Sequence, residues 1–134
     1  MTMRCTFSTD DDTLTVVASG TDVCANDVRR LVDDIAEAAF RGGLNQVLCD
    51  ATHIRHCLSF SDVLHIAKHA VGRAPVKGKF AVVCSPDDRE KASFMEAVVV
   101  NLGRSARVFS DTAAARAWLD GSSAPEGYGI TATA

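Results

Sequence analysis

A chain of 134 residues suits one ordinary domain, and 47% apolar with 23% charged residues is the composition of a globular protein. Nine Gly and three Pro are too few for a linker or low-complexity chain. The balance of 17 acids against 14 Lys and Arg gives a net charge of -3, which provides no footprint for nucleic acid or an anionic membrane.

The run Asp10-Asp11-Asp12 favours a turn between two extended segments, residues 3–8 and 13–18, and so predicts an antiparallel hairpin. Over residues 25–41, Val28, Leu31, Val32, Ile35 and Ala39 recur at helical spacing while Arg29, Arg30, Asp33, Asp34 and Glu37 fall elsewhere on the wheel. This predicts a first amphipathic helix stopped by Gly42-Gly43. Residues 46–50 read as a strand apolar on both faces, the pattern of a buried parallel strand.

A second helix is expected over residues 59–71, burying Phe60, Val63, Leu64, Ala67 and Val71 and ending at Gly72. Residues 79–84 form another continuous apolar strand. In Ser85-Pro86-Asp87-Asp88 the serine stands as a cap and the proline at the first helical position, which predicts a helix from there to Leu102. On that helix Ala97 and Val100 project away from Met95, Val98 and Leu102; a partner or homodimer face is one reading, ordinary isolated apolar side chains the other. Residues 106–109 are the last strand, and Asp111 caps a closing helix through Ala113, Ala114, Ala117, Trp118 and Leu119. The alternation calls for an α/β domain: a mostly parallel five-stranded sheet, an N-terminal antiparallel hairpin and four helices. Residues 1–121 form the domain, and residues 122–134 are expected to be a frayed tail.

The longest nearly uncharged stretch, residues 92–102, is interrupted by Glu96 and is about half of a bilayer span. The first residues lack the apolar centre of a secretory signal, so a cytoplasmic location is expected. Cys5, Cys24, Cys49, Cys57 and Cys84 are odd in number, fit no disulfide framework and are expected to be reduced.

Two stretches carry a family likeness. Val47-Leu48-Cys49-Asp50-Ala51-Thr52-His53-Ile54, leading to Leu58-Ser59-Phe60-Ser61, looks like a strand, an Asp-Leu-Ser turn and an Asp-Ser-x-Gly helix start. Arg107-Val108-Phe109-Ser110-Asp111, running into Ala117-Trp118-Leu119, is similar to a closing strand and Trp-Leu helix. On these residues the chain resembles the STAS domain, the anti-anti-sigma-factor fold, and within it the SpoIIAA-like branch of small bacterial proteins. The resemblance implies a non-enzymatic regulatory module with a protein partner such as an anti-sigma-like regulator. It also implies phosphorylation by a partner kinase at the helix start, which here is Ser59. The sequence departs from the family pattern at two positions, with Leu58 in place of the acid and Ser61 in place of the glycine.

The recognition surface expected from this reading is the segment from Asp50 to Ser61, a loop carrying Asp50, Thr52, His53, His56 and Leu58 before Ser59 and Ser61. Ser59-Phe60-Ser61-Asp62 also fits a capping box, the simpler role for Ser59, and Asp50 is expected mainly to hold the loop by hydrogen bonds. His65 and His69 stand at i, i+4 with His53 and His56 nearby, but no HExxH or Cys/His cluster accompanies them and no metal or other cofactor is expected. Cys57 beside His53 and His56 invites a thiol-nucleophile reading, yet the spacing places no orienting acid. Gly42-Gly43 lies between helix and strand, the wrong order for a phosphate cradle. Lys68, Arg73, Lys77 and Lys79 form a mildly basic run, a solvated loop or a contact for anionic head groups. The likeness in fold between the SpoIIAA-like branch and the CRAL-TRIO lipid-transfer domains implies the alternative function: holding an apolar or lipid-like small ligand between sheet and helices, with membrane association.

Overall fold

The computed structural model describes residues 3–75 and 77–121, and the expected tail lies outside them. Strand β1 (Met3–Asp10) turns at Asp11-Asp12 into β2 (Thr13–Val23). Asp11 adopts φ 57°, a left-handed conformation that aspartate tolerates better than most side chains, and Asp10 pairs with Thr13 across the turn. Then follow α1 (Ala25–Gly42), β3 (Gln46–His56), α2 (Phe60–Arg73) and β4 (Lys79–Val83). A 3-10 turn at Pro86–Asp88 leads into α3 (Arg89–Asn101), then β5 (Ser105–Phe109) and α4 (Thr112–Leu119). The strands lie in sequence order, β1 antiparallel to β2 and all others parallel, which is the expected α/β class.

Strand alternation divides the core between two faces. Leu14, Val16, Ala18, Val47 and Cys49 meet Leu31, Ile35 and Ala39 of α1. Farther along the same face, Ala106 packs with Ala67 of α2 and Val99 of α3. On the opposite face Leu48, Ala81, Val83 and Phe109 pack against Ala115 and Leu119 of α4, with Trp118 half-buried 5.9 Å from the Phe109 ring. Three helices therefore cover one face and α4 alone the other, over β3 to β5. Gln46 ties the layers together: it accepts from Thr13 Oγ1 at 3.0 Å and donates to the Leu119 carbonyl at 2.8 Å.

Several elements differ from the sequence reading, α2 among them: Phe60, expected in the core, is 43% exposed and meets the Phe94 ring edge-on. Both central strands are longer than expected, and the pairing of Ser19 with His53, Gly20 with Ile54 and Val23 with His56 makes residues 51–56 strand rather than loop. Two bulges absorb the mismatch. One adds a residue to β3 after Asp50, and the other adds one to β2 near Asp22, whose φ of 53° is left-handed. Residues 86–88, expected as the first turn of a helix, form the 3-10 turn instead; Ser85 Oγ donates to Asp88 Oδ2 at 3.4 Å rather than capping the backbone. At the end of α3, Leu102 is 44% exposed, so it joins Ala97 and Val100 on the outside instead of the core.

Glu96, which reads in the sequence as a charge interrupting an apolar run, serves the sheet. From α3 it accepts the Val108 N–H of the outermost strand at 2.8 Å. Burial pushes its carboxyl above the ordinary range, while this hydrogen bond and Arg107 oppose the rise.

Candidate functional site

At the carboxyl ends of the parallel strands the expected recognition residues are joined to one another. Asp50 Oδ1 accepts from Thr52 N at 3.1 Å and Thr52 Oγ1 at 2.6 Å, which holds the β3 bulge in the way expected of Asp50. Having given its only proton to Asp50, the Thr52 hydroxyl can meet His53 Nδ1, 3.2 Å away, only as an acceptor, so that nitrogen carries the hydrogen. His56 Nδ1 accepts the Leu58 N–H at 3.0 Å, which leaves the ring proton on Nε2, 3.2 Å from Asp88 Oδ1. The half-buried pair His56 and Asp88 thereby fastens the end of β3 to the start of α3.

Ser59 is the N-cap of α2. Its Oγ accepts from Asp62 N at 3.0 Å, and Asp62 Oδ2 accepts from Ser59 N at 3.0 Å. The Ser59 backbone donor is the chief reason the Asp62 carboxyl lies below its ordinary value. Ser61 is exposed in the first turn, Leu58 half-buried just before the cap.

Cys57 is exposed, and its backbone N–H donates to the Val23 carbonyl at 3.5 Å. No hydrogen bond among the described residues joins its thiol to a histidine; His53 and His56 are engaged as above. The buried thiols lie further from reactivity, since desolvation first and nearby acids second push Cys49 up to about 12 and Cys84 up to about 11. On α2, His65 is exposed while His69 Nε2 lies 2.8 Å from Asp33 Oδ1 of α1. Among the described residues no group of three or more His, Cys, Asp or Glu side chains is placed to hold a metal ion.

The opposite end of the sheet holds a feature the sequence reading did not place. Where the last turns of α1 and α2 splay over the first residues of β3, β4 and β5, a cavity of about 500 Å³ opens to solvent. Its walls are Val32 and Ala36 of α1, Ala70 and Val71 of α2 and Met95 of α3, with Phe80 of β4 as floor. Two glycines shape it. Gly43 caps α1 in the left-handed region at φ 65°, and Gly78 stands where an added Cβ would come within 2.9 Å of Pro75 and 3.0 Å of the Asn45 carbonyl.

Phe40 lines the mouth and is 86% exposed, the most exposed large apolar side chain among the described residues. Arg73 and Arg104 are the only guanidinium groups on the lining. The basic run thus does not form one patch. Arg73 turns to the cavity and to Asp33, Lys68 and Lys77 are exposed, and Lys79 sends its ammonium to the other face, 5.4 Å over Trp118. The signal that could have located the cavity is the run of short side chains on facing helix ends, Ala36 and Ala39 opposite Ala70 and Ala74, with Phe40 unaccounted for on the wheel.

Neither a scan against protein-family models nor a search of curated proteins finds a match to this chain. Among the described residues no helix is long and apolar enough to cross a membrane.

Proposed function

We propose that this protein is a non-enzymatic cytoplasmic binding module, STAS-like in its element order, that holds a small apolar ligand between its three-helix layer and the sheet. The observation that carries this reading is the cavity at the strand amino ends. Its volume lies within the roughly 300–1,000 Å³ of small-ligand sites, its walls are mainly apolar, and Arg73 and Arg104 are among its few polar lining residues. Five unpaired cysteines support the reducing compartment.

The test is titration of decanol into isotopically labelled protein. Amide shifts should concentrate at Val32, Ala36, Ala70 and Met95, and Ala70→Trp, which fills the cavity, should abolish them while thermal unfolding shows the variant folded. Shifts that are absent, or that fall instead on residues 50–61, would sink the reading.

A regulatory exchange at Ser59 with an anti-sigma-like protein partner is the second reading. What favours it is the exposure of both Ser59 and Ser61 at the start of α2, where the helix dipole favours a phosphate.

A further inference from the structure

Resting on the cavity reading and deepening it, we propose that the ligand is a single-chain amphiphile with an anionic head group, its chain in the cavity and its head on Arg104. If a methylene needs about the space of a water in the liquid, roughly 30 Å³, the cavity has room for one chain on the order of ten to fifteen carbons.

The head group follows from the charges at the mouth. Arg104 is half-buried in the turn between α3 and β5, and among the described residues no carboxylate pairs with it. Its Nε donates to the Ala74 carbonyl at 3.4 Å, which fixes the plane of the guanidinium and leaves its terminal N–H groups to meet a planar oxyanion. Arg73 is less available: its Nε lies 3.2 Å from Asp33 Oδ1, the same oxygen that meets His69. Arg73 therefore shares its acid with His69, while Arg104 faces none among the described residues.

The opposing effect is the helix dipole. The carboxyl-terminal ends of α1 and α2 converge here, and each contributes roughly half a negative charge that fades within a turn and favours cations. Arg104 already engages the carbonyl of Ala74, the residue after α2, yet only through Nε, so its full positive charge remains for a ligand. A half-buried guanidinium cannot shed its proton, and pairing with a carboxylate or phosphate is what relieves its partial desolvation. Phe40 completes the site, because an alkyl chain entering past it covers a ring otherwise left in water.

The experiment is calorimetric titration of the full chain at low salt with decanoate, decyl phosphate, decanol and decyltrimethylammonium, each as dispersed monomer. Both anions should bind at least tenfold more tightly than decanol, and the cation most weakly; the ratio of the two anions assigns the head as carboxylate or phosphate. In Arg104→Gln the anions should fall to the level of decanol while decanol itself stays within twofold. Should that variant not fold, added salt must weaken the anions on the parent protein and leave decanol unmoved. Equal binding of decanoate and decanol, equal loss of both in Arg104→Gln, or preference for the cation overturns the head-group assignment and leaves the cavity reading standing. Binding of none of the four overturns both.

Discussion

At the carboxyl ends of the parallel strands polar side chains satisfy one another, whereas at the amino ends aliphatic walls surround a hollow of about 500 Å³. Open α/β sheets ordinarily take their ligands at the carboxyl ends, and the polar residues between Asp50 and Ser61 point there too. In this molecule Asp50, Thr52 and His53 form one closed chain of hydrogen bonds, His56, Leu58 and Asp88 another, and Ser59 with Asp62 a third. A cluster of polar residues in a sequence marks where polar groups will meet. It does not say whether they meet each other or a ligand, and an apolar hollow leaves only a faint mark, the short side chains on facing helix ends.

The sharpest way to break this comparison is to make a hole at the closed end. Phe109 is fully buried at the carboxyl end of β5, and Phe109→Ala should cost about 3–5 kcal/mol in urea unfolding. A loss below about 1 kcal/mol would show that this end is loosely filled as well. Next in size is the cap. Ser59→Ala should cost about 1 kcal/mol and Ser59→Asp should restore most of it, because aspartate caps as well and suits the dipole. A pull-down from lysate with the same three proteins separates cap from switch. Recovery of one set of partners by all three leaves Ser59 purely structural, and loss of a partner only with Ser59→Asp makes the closed end a recognition surface after all.

At the open end the expectation is reversed. Ala36→Leu adds bulk where the wall faces empty space, so unfolding should change by less than about 0.5 kcal/mol rather than by the 1–3 kcal/mol typical of an overfilled core. A larger loss would mean that the hollow is not available to a side chain, still less to a ligand. The smallest effect is a pH dependence. Because the Asp62 carboxyl is held below its ordinary value in the fold, its contribution is present above the unfolded carboxylate's range and is lost as pH falls through the folded value. Asp62→Asn should therefore reduce the decline of the urea midpoint between about pH 5 and pH 2, and an unchanged decline would show that the capping box is not maintained in solution.

Much of this architecture could be read directly from the residues. Leu31, Ile35 and Ala39 recur on one side of α1, Gly43 ends that helix, and the continuous apolar runs at Val47 and Ala81 mark strands covered on both faces. The extension of β3 was harder to see, because Thr52, His53, Arg55 and His56 are polar, and only pairing with an equally extended β2 makes strand of them. The cavity depends on the distance between helix ends, which the short side chains of Ala36 and Ala70 permit but no local pattern announces.

Glu96 has one more consequence. Strands β1 and β5 bound the sheet, and this helix side chain accepts one outward main-chain donor of β5, the Val108 N–H. Among the described residues, the eight of β1 have no strand on their far side. One edge of the sheet thus has a main-chain donor already taken up by a side chain of its own chain while the other is bare, so any edge-to-edge pairing is expected at β1 before β5.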